Sequence, residues 1–238
     1  MEVYWLEQTL ADVPPGNDWL SDDEFLCLSS LRFLKRRTEW RLGRWTAKCA
    51  LSSYLNLAFV RSVLATIEIR PAPSGAPEVF LKSDPANVSI SLSHRGDRAL
   101  CVVMPSGVRL GCDLESIEPR SAAFLSDYFT SEEQQLIAHA PAEDMDSLLT
   151  LLWSGKESAL KALQAGLRLA TNDVIVSLNG HPFEPDRWCQ LQVRHIHGQL
   201  FDGWWLKEDN FVRTLVADSQ PDCPIPLWLN PAASAECA

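Results

Sequence analysis

The sequence predicts an α+β protein built from two similar halves, residues 1–108 and 109–238, with a ligand cleft where they meet. Three observations carry that prediction. Helical patterns over 36–57 and over 131–140 and 145–164 are each followed by a run of short β-like segments. The helical stretch opening at Trp45-Thr46-Ala47-Lys48 is echoed by Trp153-Ser154-Gly155-Lys156. No Gly/Ser linker or low-complexity stretch divides the chain, so the halves are expected to pack directly.

In the first half the alternating runs fall at 66–70, 78–82, 88–93, 98–104 and 108–115, separated by Pro, Gly and Ser. In the second they fall at 173–178, 189–196, 199–206 and 211–217, and the proline-containing stretch 219–238 reads as an irregular tail. A hydrophobic content of 46% over 238 residues suits a globular protein. Met1-Glu2-Val3-Tyr4-Trp5 lacks the basic and apolar regions of a signal peptide, and no run reaches membrane-spanning length, so a soluble, cytoplasmic protein is expected. The seven cysteines are odd in number and form no Cys-x-x-Cys pair, which argues against a disulfide framework and a structural zinc. A net charge of −10 speaks against a dedicated nucleic-acid binder. Seven basic residues against Glu39 alone between Arg32 and Lys48 nonetheless suggest a compact anionic ligand.

Four constellations could carry chemistry. Gly111-Cys112-Asp113-Leu114-Glu115 ends a strand, and Asp113 and Glu115, two apart, share a face; they suit a hard cation or form a solvated edge. Glu157 and Lys161 are four apart on a helix, either a functional pair or a surface ion pair. Ser93-His94 ends an alternating run, where histidine is structural or functional. Gly43-Arg44 with Lys48 one turn on could clamp a phosphate from one helical face or be a solvated basic face. His195-Ile196-His197 places two imidazoles on one strand face.

Taken together, these segments resemble the 4'-phosphopantetheinyl transferase superfamily, in particular its larger, surfactin-synthetase-activating (Sfp-like) type. The family's Gly-Ile/Val-Asp-Ile/Val-Glu motif is matched by Gly111 to Glu115. Its Trp-x-x-Lys-Glu-x-x-x-Lys motif is matched by Trp153, Lys156, Glu157 and Lys161. Tyr128 to Glu133 resembles the intervening Phe-Phe-Ser/Thr-x-x-Glu stretch, Ser93-His94 the upstream Ser-His, and Gly43, Arg44 and Lys48 the Gly-Arg-x-x-x-Arg helix. Two departures stand out: Lys48 replaces the last arginine, and Gly75-Ala76-Pro77 stands where the family often has Gly-Lys-Pro.

The resemblance implies a monomeric pseudo-dimer that moves the phosphopantetheine arm of coenzyme A onto a serine of an apo acyl or peptidyl carrier protein, releasing 3',5'-ADP. It implies Mg2+ held by Asp113, Glu115 and Glu157. Glu157 would serve as base and Lys161 as phosphate-side cation. Arg44, Lys48, Ser93, His94, Asp113, Lys156 and Lys161 would bind the coenzyme. The carriers would be those of fatty-acid, polyketide or non-ribosomal-peptide synthesis, with no nucleic acid or membrane involved. A Mg2+-dependent phosphohydrolase and a non-catalytic module binding coenzyme A or a carrier protein are the competing readings.

Overall fold

A computed structural model describes residues 1–164, 169–178 and 187–229. The chain forms two compact units, one of residues 3–107 joined by 225–229, the other of residues 108–224 joined by Met1 and Glu2. The mixed α+β character expected from the sequence is what the structure shows.

The N-terminal unit runs β1 (Tyr4–Thr9), α1 (Asp22–Ser30), α2 (Leu34–Tyr54), α3 (Arg61–Leu64), β2 (Ile67–Pro71), β3 (Pro77–Leu81), β4 (Asp84–Pro85), β5 (Val88–Arg95) and β6 (Arg98–Pro105). Central β6 pairs antiparallel with β1 and β5, while β2, β3 and β4 form a separate three-stranded sheet. Tight hairpin closure of β5 on β6 uses Gly96 at φ +63, a left-handed position that glycine adopts without steric cost. α2 lays Leu42, Ala47, Ala50 and Leu51 against this sheet, and Trp19 meets Trp45 edge-on with centroids 5.2 Å apart.

The C-terminal unit runs β7 (Leu110–Ser116), α4 (Ala122–Tyr128), α5 (Ser131–Ala138), α6 (Met145–Ala162), β8 (Val174–Leu178), β9 (Cys189–His195), β10 (Leu200–Glu208) and β11 (Phe211–Ala217). Its sheet has the order β7-β11-β10-β9-β8, antiparallel throughout. α6 crosses this sheet and buries Leu148, Leu151, Leu152, Ala159 and Ala162 against Val174, Val193, Trp205 and Val216. The last strand, β12 (Ile225–Pro226), lies in the N-terminal unit, parallel to β1. The tail expected over 219–238 thus contributes a short strand; from residue 230 onward it falls outside the described residues.

The two units repeat one plan. In each, the opening strand pairs with the last strand of a closing hairpin, and the longest helix packs on that pair. The repeat extends to a buried device. Ser21 and Glu24 form a capping box on α1, and Thr130 and Glu133 form one on α5. The spare carboxylate oxygen of Glu24 accepts from Ile69 N at 3.3 Å, and that of Glu133 from Val176 N at 3.2 Å. Each carboxylate then ion-pairs with a buried lysine of the long helix, Lys48 at 2.6 Å and Lys156 at 2.7 Å. The Thr130-x-x-Glu133 motif is therefore a helix start whose acid also fastens the neighbouring strand and helix.

No helix among the described residues is long and apolar enough to cross a membrane.

Candidate functional site

Strand alternation sends Asp113 and Glu115 of β7 to the same side, toward α6. Trp153, Glu157 and Lys161 recur every four residues on α6 and so line one helical face. The two rows meet. Lys161 Nζ donates to Asp113 Oδ1 at 2.9 Å and to Cys112 O at 2.9 Å, and Trp153 Nε1 donates to Glu115 Oε1 at 3.2 Å. Glu157 lies between these contacts on the helix. Burial holds its carboxyl above the ordinary carboxylate range; Asp113 adds to the rise, Lys161 opposes it, and Glu115 adds a smaller push. For Lys161, burial works against the charged form, but Asp113, Cys112 and Glu157 together outweigh it and the ammonium is held above its ordinary value.

Arg120 reaches the same group, with Nη2 at 3.4 Å from Glu115 Oε2 and Nη1 at 3.0 Å from Glu118 Oε1. Its guanidinium stacks over Phe124, which with Tyr128 packs against the Trp153 ring. Carboxylates outnumber cations here, and all the donors toward a ligand would be hard oxygens, which is the chemistry of a Mg2+ or Ca2+ site. As placed, no three or more His, Cys, Asp or Glu among the described residues stand close enough to hold a metal. Asp113 is turned to Lys161, and Glu115 to Trp153 and Arg120.

The adjoining face of α6, one residue further round the helix, fixes the register of this contact. Ser158 Oγ and Ser154 Oγ lie 2.7 and 2.9 Å from Thr214 Oγ1 on β11, and Thr214 is the register partner of Asp113. Gly111 lets β7 approach the α6 backbone closely. Lys156, expected among the coenzyme contacts, is instead fully buried. Its ammonium is held by Glu133 and donates to Thr171 O at 3.0 Å and Val174 O at 2.7 Å. One step along a helix is about 100°, so the residue beside Glu157 points into the core rather than toward the acidic face.

In the N-terminal unit the basic run separates into two sets. Arg41 donates to Pro14 O at 2.6 Å and Gly16 O at 2.9 Å. Arg44 lies over the Trp40 ring at 5.0 Å, its Nε 3.7 Å from Glu24 Oε1. Lys48, expected at a phosphate, is wholly enclosed by Glu24, Trp19 O at 3.1 Å and Leu64 O at 2.9 Å. His94 Nε2 stands 3.7 Å from Glu39 Oε2 and remains 39% exposed, next to Ser93 on β5. Arg32, Lys35, Arg36 and Arg37 all face solvent.

This placement makes Lys48 a structural cation. Lys48→Met should therefore destabilise the fold by about 3 kcal/mol, because Glu24 would be left buried and unpaired. It should leave the affinity of folded protein for coenzyme A within about twofold. Chemical denaturation and ligand titration separate the two effects; a large affinity loss at unchanged stability would return Lys48 to the ligand.

The repeat also shows what the frame does not require. Counting from the two hairpins, Cys101 and Thr214 are equivalent, so Leu6 matches Asp113 and Gln8 matches Glu115. Aligning Lys48 with Lys156 sets Cys49 opposite Glu157 and Ser53 opposite Lys161. Gln8 hydrogen-bonds Cys49, whose thiol burial pushes up out of the thiolate range. The same architecture thus closes without charge in one unit, while the other gathers three carboxylates and a lysine at an electrostatic cost. Such a cost without a structural need makes this cluster the candidate functional site.

Residues 109–216, the segment that carries the cluster, match the family model described as the 4'-phosphopantetheinyl transferase superfamily, and over this segment the resemblance drawn from the motifs stands. Among curated proteins, the 4'-phosphopantetheinyl transferase psf-1 of Bacillus pumilus is 34% identical over 77 residues, covering 32% of this chain and 32% of that protein. The chain thus aligns with about a third of that relative's length. Among solved structures, a holo-(acyl-carrier-protein) synthase from Bacillus anthracis in complex with CoA (3',5'-ADP) aligns at 24% identity and a TM-score of 0.36. That alignment covers 43% of this chain and 92% of the synthase.

Glu24, Glu133, Thr214 and Arg120 were not singled out as site residues from sequence. For the first two a signal existed, the Ser-x-x-Glu and Thr-x-x-Glu capping boxes. For Thr214 and Arg120 no local pattern points to α6 or Glu115.

Proposed function

We propose that this chain is a Mg2+-dependent 4'-phosphopantetheinyl transferase that moves the phosphopantetheine arm of coenzyme A onto a serine of an apo carrier protein, releasing 3',5'-ADP. The observation that carries the reading is the meeting of Asp113, Glu115, Glu157 and Lys161 on β7 and α6, within the segment that matches the superfamily. The transfer breaks a pyrophosphate bond, so negative charge must be stabilised on the departing phosphate. Asp113, Glu115 and Glu157 would hold the metal, which supplies that stabilisation when bound. Lys161, kept protonated beside Asp113, would stand on the phosphate side. Glu157, with its raised pKa, is the group best suited to accept the serine proton. Arg44 and His94, with Ser93, are the groups of the N-terminal unit left for the nucleotide end. Lys48 and Lys156 hold the frame instead. On this reading the two halves form a pseudo-dimer serving one reaction.

Incubation with coenzyme A, Mg2+ and a panel of apo carrier proteins tests this directly. The expected result is a gain of one phosphopantetheine in carrier mass with release of 3',5'-ADP, abolished by chelation. Hydrolysis of coenzyme A without carrier modification would establish the phosphohydrolase. Coenzyme A or carrier binding without turnover would establish a binding module.

A further inference from the structure

His195 is the last residue of β9 and is only 3% exposed. Neither of its ring nitrogens has a hydrogen-bond partner among the described residues. A buried imidazole is ordinarily bonded through at least one nitrogen, because a buried polar group left unmet loses its water and gains nothing in return. The fold itself does not ask for that cost. The buried positions before His195 on this strand are Leu191 and Val193, and a third aliphatic side chain would continue the row.

His197 lies beyond the strand, in the turn that joins β9 to β10. His195 N donates to Gln199 O at 2.8 Å and Gly198 N donates to His195 O at 2.9 Å, with Gly198 at φ +93. This turn, rather than the strand alternation expected from sequence, brings the exposed His197 ring against the buried one. The ring centroids are 5.0 Å apart and the planes cross at 72°. Two imidazoles sharing one ion, at about 2.1 Å from each nitrogen and a near-tetrahedral angle, have their centroids about 5 Å apart. Edge-to-face packing gives the same spacing, but it gives no use to two buried nitrogens.

We propose that His195 and His197 form a transition-metal site for an ion of the Zn2+, Ni2+ or Cu2+ class, with water completing the coordination. Imidazole nitrogen selects these ions, whereas Mg2+ takes oxygen ligands. No third His, Cys, Asp or Glu among the described residues joins the pair, so the ion exchanges with solution. The site is separate from the carboxylate cluster and stands whether or not the chain is a transferase. In the sheet order β7-β11-β10-β9-β8, β9 lies three strand spacings from β7, about 14 Å. His195 is the register partner of Val174, whose carbonyl accepts from Lys156, and Ile196 N donates to Asp173 O at 2.9 Å. An ion held by both rings therefore clamps the β9–β10 turn beside the segment that holds Lys156, and stabilises the folded C-terminal unit.

The test is calorimetric titration of the full chain with NiCl2, with Mg2+ in excess so that sites made of hard oxygens are taken. Wild type is compared with His197→Ala, His195→Phe and His139→Ala, the last removing an exposed histidine outside the pair. Wild type and His139→Ala should bind one Ni2+ with equal affinity, and the ion should raise the Tm of both. His197→Ala and His195→Phe should each weaken that binding about tenfold or more and abolish the rise in Tm. The exposed thiols of Cys27 and Cys223 are common to all four proteins and cancel in the comparison. Should His195→Phe fail to fold, His197→Ala, which alters only an exposed ring, decides alone. Absence of Ni2+ binding to wild type, or equal affinity in wild type and His197→Ala, overturns the site and leaves an edge-to-face pair of imidazoles.

Discussion

Gly111→Ala is expected to leave no stably folded C-terminal unit. A Cβ at this position would stand 1.8 Å from Ser158 O, 2.8 Å from Ser158 C and 2.8 Å from Ala162 N. All three atoms are α6 backbone, so no side-chain rotation relieves the clash. Either β7 or α6 must retreat by more than an ångström, and the contact being lost is extensive. It includes the Ser158–Thr214 hydroxyl bond at 2.7 Å, the Lys161–Asp113 pair at 2.9 Å and the buried apolar face of α6. Overpacking of this kind belongs to the exceptional end of single-substitution effects, on the order of 5 kcal/mol. A domain of ordinary stability has only about 5–15 kcal/mol in total. Gly43→Ala is the control: nothing lies within 4 Å of its Cβ, and it sits inside α2. There alanine should stabilise by about 0.5–1 kcal/mol through helix propensity. Chemical denaturation of both variants decides the matter, and a Gly111→Ala protein melting like the wild type would refute the close-packing account. The glycine of the Gly-Cys-Asp-Leu-Glu motif then has a packing reason that needs no ligand.

Apart from the two-residue β4 and β12, the strands from residue 66 onward were legible because their inward faces are apolar and their turns carry Gly, Pro or Asp. β1 was not legible. Its inward residues are Leu6 and Gln8 while Trp5 faces the other way, so the alternation that marks a half-buried strand is scrambled. α1 escaped for a related reason: it buries an acid, Glu24, and exposes Phe25 and Leu26, inverting the usual amphipathic pattern. In the site, Asp113 with Glu115 and Glu157 with Lys161 were readable because each pair lies within one element at a spacing that fixes a shared face. Lys48 and Lys156 were misread because their partners, Glu24 and Glu133, lie on other helices, which local spacing does not reveal. The Trp-x-x-Lys-Glu motif thus sets a lysine that holds the frame beside the glutamate proposed for the chemistry.

Glu157→Gln should slow the reaction and stabilise the protein at the same time. On the rate side, the substitution removes the proposed proton acceptor and one carboxylate of the metal set, a transition-state contact whose loss lowers kcat about 100- to 1000-fold. On the stability side, burial and the facing carboxylates Asp113 and Glu115 raise the Glu157 pKa against the pull of Lys161. A raised carboxylate pKa means that the folded state holds its proton more tightly than the unfolded state. Stability therefore falls as pH rises from the ordinary carboxylate value through the folded value, and the full penalty is present at neutral pH. Glutamine keeps the shape without the charge, so in chelator at neutral pH the variant should melt above the wild type, and the difference should vanish toward acid. Added Mg2+ should then raise the wild-type Tm and leave the variant's nearly unmoved, since a ligand stabilises only the state that binds it. The melting experiments need neither coenzyme A nor carrier, so they test the cluster independently of turnover. A variant that melts below the wild type in chelator would show that ionised Glu157 is held by favourable contacts rather than strained by its neighbours. A variant that keeps kcat within about threefold would remove Glu157 from the chemistry.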